Sequence, residues 1–315
     1  MDLITHTIVG SATYRVFTQQ ELTLDNPHFI AVAIGSIIPD LDIVTQLFGD
    51  VPYIKYHRGA THSIIGITFL SLLTGGLLSS LFDASFYALS LFTFMGCCTH
   101  IFLDTLNSYG AQVFWPFTRK RTTLNLLVFI EPFMIALLLC IVLFNQVMGV
   151  FWAVLLFSLV LIYFAFRLFS KLTLQKTLKD KFPDKTFQKS VVVPAFASIF
   201  HWDYILEDER EVILGRTDLL LKELKVKKRL KKVEKTAIVR KAMFTKVGKL
   251  FLNFTPHFYI KHEKLRDKEL IKFIDLRYLV KEGFVNSAEV EFCKKGQVQE
   301  AYFQPYSETR KIPLK

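Results

Sequence analysis

Apolar positions run in long unbroken stretches through the first half of the chain and in short runs broken by charge through the second. Residues 64–82, IIGITFLSLLTGGLLSSLF, carry no charge at all, and a helix needs about 20 such residues to cross the hydrocarbon core of a bilayer. Residues 84–103, 124–144 and 147–166 have the same character, and the four stretches read as two helical hairpins. Two shorter segments precede them, 4–17 and 29–48, the second interrupted by Pro39 and two aspartates. Beyond residue 171 the pattern changes. Residues 191–220 read as β-strands with a hairpin or two, 222–251 as a basic and partly helical stretch, and 257–280 and 288–306 as further strands. The expected architecture is a mainly α membrane domain over 1–170, a helical bundle of about four long spans plus two shorter N-terminal helices. A soluble α+β domain follows over 171–315.

Composition sharpens this division. A chain that is 51% hydrophobic with a mean hydropathy of +0.33 is too apolar for an ordinary soluble enzyme and too charged for a pure membrane bundle. Residues 1–170 hold 7 Lys and Arg against 9 Asp and Glu, whereas 171–315 hold 32 against 19, so the chain's net +11 belongs to its C-terminal part. Cys97, Cys98, Cys140 and Cys293 lack the paired spacing of a secreted disulfide scaffold. The start, MDLITHTIVG, has no basic region of the signal-peptide kind, so no cleavage is expected there. Arg119–Arg121 and the pair Arg167 and Lys171 are separated by two expected spans, and both sets can face the cytoplasm together. The chain is therefore expected to be a multi-pass protein of the inner or plasma membrane with a cytoplasmic C-terminal domain.

The candidate chemistry lies in the polar residues of the apolar half: His6, Asp40, Asp42, His57, Arg58, His62, His100, Asp104 and Glu131. Under the topology above each falls at the same end of its segment, so all can converge at one membrane face. His100 and Asp104 are four residues apart and share a helix face. In IIPDLD an extended backbone after Pro39 would point Asp40 and Asp42 the same way. Carboxylates with imidazoles suit zinc, with manganese or iron as alternatives, in an open site better than in a thiolate-lined structural one. Taken singly, a histidine at a helix end is an ordinary interfacial side chain, an Asp after Pro is an ordinary turn residue, and Arg58 is an ordinary snorkelling cation. Glu131 is harder to dismiss, because an acid inside a span costs on the order of 2.5–3.5 kcal/mol. With Pro132 expected to kink its helix, it was placed facing His100 and Asp104 as a ligand or as the catalytic base.

The motifs THTIVG, GSIIPDLD, HRGATHS and THIFLDTLNSYG followed by WPF resemble the YdjM and YfhP type of predicted membrane-bound, metal-dependent hydrolases. The resemblance covers about residues 1–170, with a looser likeness to the YfhP branch from about residue 190. It implies a divalent metal held by His6, Asp40, Asp42, His62, His100 and Asp104, with Glu131 where members often carry an Asp before Pro. It also suggests distant kinship with zinc-dependent phospholipase C and nuclease folds. If it holds, Arg58 with Asn107 and Ser108 would bind the substrate's phosphoryl or carbonyl oxygens, and His57 would be a general acid or a more remote support. A phosphoester of a lipid or isoprenoid fits a site at headgroup depth.

Two other classes compete with the enzyme. A metal or proton carrier should place polar groups at successive depths, but here they gather at one end. A non-catalytic adaptor would need no ligands. Membrane lipids are the expected partner of the basic C-terminal region, since each cation near an anionic surface contributes about 1 kcal/mol. Nucleic acid is disfavoured, because KVKKRLKK accompanies no recognisable binding motif.

Overall fold

In the computed structural model, residues 2–182, 186–195, 198–219, 223–277, 279–280, 283–305 and 311–314 are described, and the chain divides into two units, Met1–Leu172 and Thr173–Lys315. Within the expected strand and basic stretches, residues 196–197, 220, 222, 278 and 306 lie outside the described residues.

The first unit is helical. Helix α1 (Leu3–Thr18) begins where the Asp2 carboxylate accepts the Thr5 N–H at 2.9 Å. Helix α2 (Pro27–Gly35) begins at Asn26, which caps the His28 and Phe29 amides, with Pro27 in the first turn where its missing N–H costs nothing. A 3-10 segment, Ile38–Phe48, follows at a bend of 47°. Then come the short α3 (Asp50–Tyr56), a 3-10 turn at Ala60–His62, and α4 (Ile64–Phe82), whose cap Ser63 accepts the Gly66 N–H at 2.9 Å. Helices α5 (Phe86–Leu106), α6 (Pro132–Leu143) and α7 (Val150–Lys181) complete the set, and α7 runs past the boundary between the units. Small residues bring α2 onto α5: a Cβ on Gly35 would lie 2.1 Å from the Thr93 carbonyl oxygen, and one on Gly96 would lie 2.3 Å from that of Val32. That close seating fixes the loop after α2 against the C-terminal end of α5.

Among the described residues α4, α5 and α7 are long and apolar enough to cross a membrane, and the bent pair of α2 with Ile38–Phe48 makes a fourth span if counted as one. Large apolar side chains such as Phe69, Leu73 and Leu77 on α4, and Phe151, Trp152 and Ile162 on α7, face outward, the arrangement expected when the surrounding solvent is hydrocarbon. The expected span over 124–144 is corrected. Only Pro132–Leu143 is helical, while 124–131 is irregular, with Asn125 at φ 47° and Leu127 bridged to Asn107. The physical reason is Pro132: it occupies the first position of the helix instead of kinking it, and the residue before a proline is pushed out of the helical region.

The second unit is built of antiparallel sheets. Strands β1 (Lys189–Pro194), β2 (His201–Glu207), β3 (Glu211–Asp218) and β4 (Glu223–Lys231) form a four-stranded meander. After α8 (Ala237–Phe244) and α9 (Lys246–Phe254) come β5 (Phe258–Lys264), β6 (Lys268–Asp275), the two-residue pair β7 (Leu279–Val280) and β8 (Gly283–Phe284), and β9 (Ser287–Cys293), β10 (Val298–Gln304) and β11 (Ile312–Pro313). The five-stranded sheet has the order β11-β10-β9-β6-β5. Helix α9 buries Val247, Leu250, Phe251 and Phe254, and Phe251 lies 5.9 Å from Phe273 and 5.7 Å from Phe303, centroid to centroid. Each such buried side chain contributes about 1.5–3 kcal/mol. The basic stretch beginning at 222 is therefore a strand first and a helix pair second.

Candidate metal centre

Four segments bring the polar residues together. Helix α1 carries His6, the 3-10 segment after α2 carries Asp40 and Asp42, the loop and turn before α4 carry His57, Arg58 and His62, and the last turns of α5 carry His100 and Asp104. His6, His62, His100 and Asp104 are fully buried. The Nε2 of His62 lies 3.2 Å from His100 Nε2, 3.3 Å from Asp40 Oδ1 and 3.4 Å from Asp104 Oδ2. His100 Nε2 lies 3.6 Å from Asp40 Oδ1 and 3.7 Å from Asp104 Oδ2. A tetrahedral ion with bonds of about 2.0–2.1 Å sets its donor atoms about 3.3–3.4 Å apart. These five separations, 3.2–3.7 Å, are close to the edges of such a tetrahedron.

The hydrogen-bond network fixes what these atoms offer. His100 Nδ1 is 2.7 Å from the Ser36 carbonyl oxygen, which can only accept, so the proton sits on Nδ1 and Nε2 presents a lone pair. Thr61 donates its hydroxyl to Asp42 Oδ2 at 3.2 Å and stands 3.1 Å from His62 Nδ1; it therefore accepts from Nδ1, and His62 Nε2 is also bare. Asp40 Oδ1 is buried and accepts no hydrogen bond, the approach of His62 lying outside hydrogen-bond geometry. Two imidazole nitrogens and two carboxylate oxygens thus face one another, a group that could hold a cation between them. Three carboxylates against one guanidinium leave the cluster two negative charges, matching a divalent ion.

Asp42 takes a different part. The segment is a 3-10 turn and not extended, yet Asp40 and Asp42 stay close, each offering a carboxylate oxygen within 4.8 Å of the other and of a His57 nitrogen. Asp42 Oδ1 lies 2.7 Å from His57 Nδ1, and Oδ2 accepts the Arg58 N–H at 2.8 Å. It also stands 3.5 Å from the Nδ1 side of His62, away from the Nε2 that faces the other three ligands. A second grouping of possible ligand atoms, Asp40, Asp42 and His57, adjoins the first. Burial holds the His57 pKa below its ordinary value despite the Asp42 carboxylate. Arg58 occupies the left-handed region at φ 61°, a costly conformation for a side-chain-bearing residue. It is pinned by its N–H on Asp42 and its carbonyl on the Gln112 N–H at 3.0 Å, and its Nη2 reaches Asp104 Oδ1 at 3.0 Å. His6 stacks on His100 with centroids 3.6 Å apart and sets its Nε2 3.5 Å from Asp104 Oδ1.

Three expectations fare otherwise. Glu131 does not enter the cluster: its Oε1 accepts the Val128 N–H at 2.8 Å and its Oε2 the Tyr163 hydroxyl at 2.7 Å. With 124–131 outside the helix, the carboxylate turns toward α7, where Arg167 Nε also holds the Leu126 carbonyl at 2.9 Å. Asn107 closes the end of α5, its Oδ1 accepting the Tyr109 N–H at 3.0 Å and its carbonyl the Thr123 hydroxyl at 2.6 Å. Ser108 is buried in the same turn. Both are placed as loop-forming residues next to Asp104 in sequence. Sequence reasoning passed over Ser36, whose carbonyl sets the His100 tautomer, and Thr61; the only signal for either was adjacency to a ligand motif. It also passed over Tyr163, spaced four residues before Arg167 on α7.

The comparisons agree with this layout. The family model for the YdjM inner membrane protein matches residues 1–174, and that for the YfhP C-terminal alpha/beta plait domain matches 237–312. The uncharacterized protein YfhP of Bacillus subtilis (strain 168) is 28% identical over 289 residues, covering 88% of this chain and 87% of that protein. No solved structure matches. With its helical unit and its Asp/His cluster inside the matched region, the chain belongs to the YdjM inner membrane protein family.

Proposed function

We propose that the chain is a membrane-bound, metal-dependent hydrolase acting on a phosphoester or lipid-like substrate at the membrane interface. The observation that carries this reading is the convergence of Asp40 Oδ1, His62 Nε2, His100 Nε2 and Asp104 Oδ2 beside the buried guanidinium of Arg58. A mixed Asp/His donor set without thiolates is typical of open sites and suits zinc, with manganese or iron also accommodated. A divalent ion in such a site supplies a water that is acidic near neutral pH and draws charge from an ester oxygen.

The chain's own residues do the rest. Arg58, held in one place by Asp104 and by its strained backbone, presents cationic donors to a phosphoryl oxygen. His57, partly exposed and braced by Asp42, can carry a proton to or from the leaving group. Ser36, Thr61 and Asp42 hold the imidazoles in orientation. The basic residues Arg119–Arg121, Arg167 and Lys171 support a multi-pass topology with the C-terminal domain on the cytoplasmic side. The test is elemental analysis of protein purified without chelator, followed by a panel of phosphate monoesters, diesters and phospholipids assayed with and without EDTA. About one divalent ion per chain and chelator-sensitive hydrolysis are expected. A metal-free protein, or hydrolysis unchanged in Asp104→Ala, would sink the reading.

A further inference from the structure

Between Lys235 and His262 the chain holds six Lys and Arg and no Asp or Glu. This stretch folds as α8 and α9, and their apolar faces are spent on the second unit's own core through Val239, Ala242, Val247, Leu250, Phe251 and Phe254. One large apolar side chain is left out. Phe244, at the end of α8, is 72% exposed. It stands among cations: Arg240, Lys241, Lys246 and Lys249 are all exposed, and Lys249 Nζ lies 6.0 Å from the Phe244 ring centroid. Lys241 donates to the Gly296 carbonyl, which ties the β9–β10 turn and its exposed Lys295 to the same place.

A protruding aromatic ringed by lysines and arginines is poorly suited to water and well suited to the headgroup layer, where the ring enters the acyl boundary and the cations meet phosphate. From this we infer that the α8–α9 corner, with Phe244 at its tip, is a docking surface for an anionic phospholipid bilayer. Charge complementarity selects this occupant, and so does attachment: the surface is carried by a chain whose other unit belongs to an inner membrane protein family, so the encounter is intramolecular and a weak affinity suffices. The inference does not rest on the hydrolase reading, because its residues belong to the second unit and none is a member of the Asp/His cluster.

The test uses the full chain in nanodiscs of phosphatidylcholine alone or with phosphatidylglycerol. Amine labelling of the wild-type protein, read by mass spectrometry, should show Lys241, Lys246 and Lys249 labelled several-fold more slowly in the anionic discs, with exposed Lys225 on β4 as internal reference, and the protection should fade at high salt. A Phe244→Trp variant should gain emission that brominated acyl chains quench in anionic discs, over the background of Trp115, Trp152 and Trp202, and adding Lys246→Glu and Lys249→Glu should reduce that quenching at least about tenfold. Equal labelling and no quenching in both discs would overturn the inference. Protection that appears only when duplex DNA is added to neutral discs would also overturn it and assign the surface to nucleic acid.

Discussion

The two units each bury an aspartate against an arginine, and the contrast between the pairs separates a structural device from a site. In the second unit Asp275 and Arg277 are both about 1% exposed, and every approach to the carboxylate is a donor. Oδ1 accepts from the Thr255 hydroxyl at 3.1 Å and the Arg277 N–H at 3.1 Å, and Oδ2 from Arg277 Nη2 at 2.7 Å and Asn286 Nδ2 at 3.2 Å. In the first unit Asp104 also meets an arginine at 3.0 Å, but its other oxygen faces the Nε2 lone pairs of His62 and His100. One cluster is closed by donors and asks for nothing further. The other gathers carboxylates and imidazoles into a group that could hold a cation.

The comparison breaks most visibly if the closed pair is opened. Asp275→Ala leaves Arg277 buried without its counter-charge, which costs about 3–5 kcal/mol. Hydrogen exchange on the full chain should show β6 and β9 opening, with metal content unchanged; unaltered exchange would mean that the pair carries no structural load. The converse substitutions act on the other cluster. His62→Ala and Asp104→Asn should lower metal affinity by more than the roughly 10–100-fold that loss of an outer partner costs, while exchange in β6 and β9 stays as it was. Stoichiometric metal in both variants would remove these residues from the site.

A third effect is smaller and depends on pH. His257 lies beside the Asp275–Arg277 pair, and burial together with the Arg277 charge holds its pKa down to about 4 from 6.5. The unfolded chain therefore takes up a proton before the folded one does. The stability present above pH 6.5 should fall as pH drops from 6.5 to about 4, by about 1–3 kcal/mol. Denaturant titrations across that window should show the loss, and His257→Gln should flatten it; an equal slope in the variant would assign the loss to other groups. The smallest effect concerns Glu131. Tyr163→Phe removes one donor from its carboxylate and should cost the first unit about 1–2 kcal/mol, read as a lower unfolding midpoint with unchanged metal content. A lowered metal content would return Glu131 to the site from which its contacts exclude it.

Much of the metal cluster was legible because buried charge in an apolar stretch is expensive and so rarely accidental. His100 and Asp104 could be paired from helical spacing alone, and both fall in the group with Asp40 and His62 that could hold a metal ion. Asp40 and Asp42 could be found but not sorted, since their separate contacts, Asp40 with His62 and Asp42 with His57, depend on a loop distant in sequence. Glu131 was misplaced by the same argument that found the others. Its cost of burial was real, but its partners, the Tyr163 hydroxyl and the Val128 amide, lie on an element and in a backbone conformation that no local pattern displays.

The sequence by itself determined that apolar runs of span length precede a basic, strand-rich region, and that a handful of His and Asp residues interrupt those runs. These follow from transfer free energies and from periodicity, which act residue by residue. Only the tertiary structure decided which lone pairs face each other. The Ser36 carbonyl sets the tautomer of His100 from 64 residues away, and Thr61 with Asp42 sets that of His62. It also decided that 124–131 is not helical, because hydrogen bonds from Tyr163 and Arg167 and the bridge to Asn107 outweigh the helical preference of an apolar run. Hydrogen-bond satisfaction between distant segments is a property of packing, and it overrides local propensity wherever a buried polar group must find its partner across the fold.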